Sequence, residues 1–89
     1  MLTVNAARTR LIRLGSVELT AMVAEHADRP HTRRAAANGC ARFLGVYEIT
    51  ASWGRWYAAK VEVELEDLST RIVAVWPQRS GESFGVAEV

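Results

Sequence analysis

The stretch GVYEITASWGRWYAAKVEVELED, residues 45–67, decides how the chain folds. Its second half alternates: Tyr57, Ala59, Val61, Val63 and Leu65 fall on one side, and Lys60, Glu62 and Glu64 on the other. That is the period of a half-buried antiparallel strand. Its first half sets Tyr47, Ile49 and Ala51 at strand spacing, with Gly54 at the turn, so the two halves read as a hairpin. The run TRIVAVWP, residues 70–77, follows the turn residues Glu66 to Ser69 and stops at Pro77. A connection of four residues makes antiparallel pairing the natural outcome. The expectation is a three-stranded meander. Residues 78–89 read as a loose tail with at most a short edge strand, leaving residues 1–77 as a single domain.

Helical signals precede the strands. Residues 17–27, VELTAMVAEHA, follow Ser16, a good N-cap, and put Leu19, Met22, Val23, His26 and Ala27 on one face. Asp28 and Pro30 stop that helix. A hairpin of RLIRL and VELTA across Gly15-Ser16 is the rival reading; Ala21, Ala24 and Ala27 favour the helix. Residues 31–44, HTRRAAANGCARFL, form a second predicted helix with Ala36, Cys40, Phe43 and Leu44 on its apolar side. Gly39 weakens it by about 1 kcal/mol relative to alanine, and close packing against a neighbour is one reason to retain it. The predicted fold class is α+β. N-terminal helices pack on one face of a three-stranded antiparallel meander, and the other face carries the acidic row Glu62, Glu64 and Glu66.

Composition bounds the rest. A chain of 89 residues is one domain, which buries only about 60–65% of its unfolded surface. Apolar residues at 49% and charged residues at 24% suit a folded globular chain, and no apolar run is long enough to span a membrane. Arginines interrupt the N-terminal apolar residues, so no secretory signal is read there and a cytoplasmic location is expected. The single cysteine, Cys40, cannot form an internal disulfide or a thiolate zinc site alone. Net charge of +1 conceals an asymmetry: residues 1–44 hold seven arginines against three acids, and residues 45–89 four bases against seven acids. A basic first half can steer a polyanion or orient the molecule on a protein of mixed charge.

Candidate binding residues follow from the aromatic cluster and the charges. Trp53 and Trp56 flank the hairpin turn around Arg55, and Trp, Tyr and Arg are the residues most enriched at interface hot spots. The rings either fold back over the core or anchor a partner, whereas Tyr57 belongs to the core face. Arg34 and Arg42 would carry a nucleic-acid surface, and Glu62 and Glu64 an acidic strip that meets a basic partner or mimics nucleic-acid phosphate. His26, on an apolar helix face, reads as a core histidine, and His31, beside Arg33 and Arg34, is the better candidate for acid–base chemistry. No phosphate loop, nucleophile elbow or paired Cys or His at metal spacing is present, so no catalytic residue, metal or cofactor is predicted.

Two resemblances bear on function. In ARFLGVYEITASWGRW, residues 41–56, Ala41, Gly45, Val46, Thr50 and Ser52 with a nearby Trp resemble the helix-turn-helix regulators. That resemblance implies a turn at Gly45 and a recognition helix entering the major groove. Residues 46–53 are therefore open between strand and helix. Helices followed by an antiparallel sheet with TRIVAVWP late in the chain are distantly similar to metal-independent ribonuclease toxins of the RelE and colicin type. This second likeness implies that His31, Arg33, Arg34 and Arg71 position RNA and move protons. The leading expectation is a small non-catalytic binding or regulatory protein of bacterial or phage type, an inhibitor or adaptor that acts on a protein partner. Nucleic acid and a second copy of the chain are the other partners considered.

Overall fold

Residues 45–67 form the expected hairpin in the computed structural model, which describes residues 1–89. The elements run α1 (Val4–His26), α2 (Pro30–Ala37), β1 (Ala41–Ala51), β2 (Gly54–Glu64), β3 (Thr70–Pro77) and β4 (Phe84–Glu88). They make an α+β unit whose antiparallel sheet has the strand order β1-β2-β3-β4. Both helices pack on the face that carries Ala59, Val61, Val63, Val73 and Val75. Leu11, Leu19, Val23, Ala27 and Ala36 meet those residues from the helical side. Each fully buried aliphatic side chain contributes about 1.5–3 kcal/mol, so this interface holds the chain together.

The sheet has four strands where the alternation predicted three, and the short edge strand that the tail allowed is formed at residues 84–88. Phe84 to Glu88 pair with Pro77 to Val73, and Val86 and Phe84 pack against the core. Long-range contacts that no local pattern announces hold this strand. The Thr32 hydroxyl, fully buried, donates to Glu88 Oε1 at 2.9 Å, and the Glu88 amide donates to Asp28 Oδ2 at 3.2 Å. Arg29 stands 3.9 Å from the Glu88 carboxylate. Together they tie β4 to the corner between the helices.

The helices differ from expectation at both ends. Thr3 caps α1 by accepting from the Ala6 amide at 3.2 Å, and Ala7 and Leu11 bury one side of a first segment that the sequence reading missed. At Gly15 the backbone (φ 80°, ψ 175°) leaves the helical region, and the second segment carries Leu19 and Val23 into the core. His26, predicted to lie in the core, is exposed and 3.5 Å from Glu25. α2 ends at Ala37 rather than residue 44, because Gly39 takes a left-handed φ of 86° that terminates the helix. A Cβ at Gly39 would meet nothing within 4 Å, so conformation rather than close packing accounts for this glycine.

Residues 41–56 are strand, turn and strand, so the helix-turn-helix geometry suggested for them is absent. β-Branched and aromatic residues decide the fork in favour of strand, since each finds a cross-strand partner on β2. A bulge between Phe43 and Gly45 adds one residue to β1. It leaves Phe43 and Val46, three positions apart, both on the core side opposite Val61 and Ala59.

Candidate functional site

The helices cover one face of the sheet and leave the other without a second layer. Alternation sends Ile49, Trp56, Ala58, Ile72, Ala74 and Trp76 to that outer face, joined from β4 by Ala87. The acidic row expected there is confined to one end. Glu62 is paired with Arg42 at 3.2 Å, Glu64 lies at the margin, and Glu66 belongs to the turn beyond β2. Toward the β1–β2 turn the face is aromatic and aliphatic.

Trp56 and Trp53 have different roles. Trp56, named as an interface residue from sequence, is 3% exposed, and its indole Nε1 donates to the Pro77 carbonyl at 2.8 Å. It closes the top of the sheet and is not free to bind. Trp53, in the turn, stands edge-on to Trp56 with ring centroids 5.6 Å apart and an interplanar angle of 83°, and 36% of its surface is exposed. Trp76 lies across β4 so closely that any side chain at residue 85 would collide with its indole, which accounts for Gly85. Between the Ile49–Trp53 side and Trp76 runs an apolar groove of about 450 Å³, bounded also by Ala74, Ala87 and Val89.

The remaining candidates scatter. Arg55 is exposed and ion-paired to Glu48 at 2.8 Å; Tyr57 and the Glu48 carboxylate hold its guanidinium above the ordinary value. Arg42 is committed to Glu62. Arg34 and Glu64 line a separate cleft of about 400 Å³ between α2 and the β2–β3 turn, together with His31, Cys40, Asp67 and Arg71. That cleft gathers three of the four residues of the ribonuclease reading. Arg33 turns away and donates to the Ala27 carbonyl at 2.6 Å. Three carboxylates, those of Glu64, Glu66 and Asp67, share the cleft with two guanidiniums, which makes it a poor host for a polyanion. No cluster of three or more His, Cys, Asp or Glu side chains is placed to hold a metal ion, and no helix is long and apolar enough to cross a membrane.

The sequence reading overlooked Trp76, Ala74, Ile49 and Ala87. A signal was present in Ile72-Val73-Ala74-Val75-Trp76, five apolar residues in a row: a strand apolar on both sides is one that both faces are prepared to bury. Comparison with protein-family models, with curated proteins and with solved structures finds no match, so the face is interpreted from its own geometry.

Proposed function

We propose that this chain is a non-catalytic binding protein that acts by protein contact, with the uncovered face of its sheet as the docking surface. The observation that carries this reading is the apolar groove between Trp53 and Trp76 on the sheet face opposite the helices. Exposed apolar patches on small proteins mark interaction sites, and Trp is the residue most enriched at their hot spots. The reading keeps Trp53 from the sequence-derived site and replaces Trp56 with Trp76 as the second aromatic.

The nucleic-acid readings draw less support. Of the seven arginines in residues 1–44, Arg10 and Arg33 bond backbone carbonyls, Arg29 and Arg42 face carboxylates, and Arg8 lies over the Tyr57 ring. Only Arg13 and Arg34 are left without such a contact, too few for the salt-steep binding of a phosphate backbone.

Photo-crosslinking in cells tests the proposal without presupposing the partner. A photoreactive amino acid in place of half-buried Ile72 on the outer face should give a discrete protein adduct, and the same group in place of exposed Glu18 on α1 should not. Equal adducts from both positions, or none from Ile72, would sink it.

A further inference from the structure

We propose that the protein partner docks by adding an extended strand of its own to the free edge of β1, over Val46 to Ala51, which sets its alternate side chains beside the groove. The inference rests on the reading of the outer face as a docking surface and names the chemistry of the occupant: an extended segment of another protein with apolar residues at every second position.

The first argument is the fate of the backbone polar groups. β1 pairs only with β2, and residues 45–53 make no backbone hydrogen bond outside that ladder. Ser52 and Trp53 form a two-residue turn, so Ala51 and Gly54 exchange the closing hydrogen bonds. Alternation along the ladder then turns the N–H and C=O groups of Val46, Glu48 and Thr50 away from β2. A row of donors and acceptors at this spacing is matched as a set by one structure, another extended backbone.

The second argument is the contrast between the two edges of the sheet. β4 is five residues long, and its Glu88 amide is taken by Asp28 Oδ2 at 3.2 Å. Short strands and covered groups are the usual ways of closing an edge. β1 is eleven residues long, contains no proline and has no buried residue. Its one irregularity, the bulge between Phe43 and Gly45, lies at the far end and leaves Val46 to Ala51 regular.

The third argument is position. Ile49 to Trp53 form one wall of the apolar groove, and Ala74, Trp76 and Ala87 stand on the other. Side chains beside each other on adjacent strands share a face of the sheet, about 5 Å apart. A residue of the added strand beside Ile49 therefore stands on the groove side, and an apolar side chain there extends the contact that Trp53 offers. A second copy is the poorer occupant. Symmetric pairing through Val46, Glu48 and Thr50 brings two Glu48 carboxylates face to face, and like charges directly opposite destabilise a sheet.

A library of random linear peptides, selected on the immobilised chain, is the probe. Selected peptides should alternate apolar and polar residues. In the complex the amides of Val46, Glu48 and Thr50 should exchange with solvent at least about 10-fold more slowly, as one added hydrogen bond each implies. Methylating every second peptide nitrogen in one phase should weaken binding at least about 10-fold, and in the other phase should leave it unchanged. Thr50→Pro removes an outward N–H, spares the ladder to β2 and should weaken binding to the same degree. Circular dichroism checks that this variant is folded; if it is not, the methylated peptides make the same test. Failure to select any peptide overturns the inference, as does a peptide that leaves the three amides unprotected or binds equally in both methylation phases. If such a peptide still shifts the indole resonances of Trp53 and Trp76, the groove stands as a docking surface without strand addition. Protection of the same amides in the chain alone, as its concentration rises, identifies a second copy and overturns the assignment to another protein.

Discussion

The two tryptophans beside Arg55 look equivalent in sequence and are not equivalent in the fold. Trp56 is buried and bonded to the Pro77 carbonyl, so Trp56→Ala removes a large buried ring and orphans an acceptor. Its expected cost is about 3–5 kcal/mol. Trp53→Ala gives up an exposed edge-to-face contact and should cost no more than about 1.5 kcal/mol. Urea denaturation of the two variants measures the difference, and equal losses would mean that Trp53 is also core. Leu68 stores strain rather than burial: it is 77% exposed and has φ 69°, in the left-handed region. Leucine there costs about 1 kcal/mol, and asparagine tolerates the conformation. Leu68→Asn should therefore stabilise the chain by about 0.5–1 kcal/mol in the same assay; a loss of stability would show that the Leu68 side chain makes a contact of value.

At the scale of elements, the turn between β2 and β3 holds the clearest pH dependence. The Asp67 carboxylate accepts from the Ser69 hydroxyl at 2.6 Å and from the Ser69 amide at 3.0 Å, which holds its pKa below the usual carboxylate range. A pKa depressed by folding means stability that is present above the unfolded value and lost as pH falls through the folded one. The Ser69 amide resonance should titrate with a midpoint below that of a free aspartate, and Asp67→Asn should abolish the titration. A midpoint at or above the ordinary value would contradict the hydrogen-bonded geometry. The helices show why element boundaries were harder to read than element types. Residues 31–44 keep a helical apolar stripe in sequence, but Gly39 ends α2, and the tail of the stripe, Ala41 to Leu44, becomes the start of β1. Phe43 faces the core in both readings, because a bulged strand and a helix can each place it there.

For the molecule as a whole, the helical half and the strands of residues 57–65 and 70–77 were legible because their periods are local and strong, whereas residues 46–53 stayed open between strand and helix until the hairpin paired them. The fourth strand was less legible. Residues 84–88 are too short to announce more than an edge strand, and they are held by Thr32 and Asp28, more than fifty residues away. The site was half legible. Trp53 was visible as an aromatic at a turn, whereas Ala74 and Ala87 have no functional signature until the sheet sets them side by side as the floor of a groove. Arg34, Arg42, Glu62 and Glu64 were singled out for their charge, yet the fold pairs Arg42 with Glu62 and sends Arg34 and Glu64 to a different cleft.

Sequence alone determined the α+β class and the core face of β2, because alternation is a property of neighbouring residues. It also determined that no nucleotide or metal motif is present. Only the tertiary structure decided which tryptophan is core, how many strands the sheet has and which face stays uncovered. Those outcomes depend on which distant segments meet. The pleat assigns each strand residue to a side, but whether that side meets a helix, a neighbouring chain or water is settled by the packing of the whole chain.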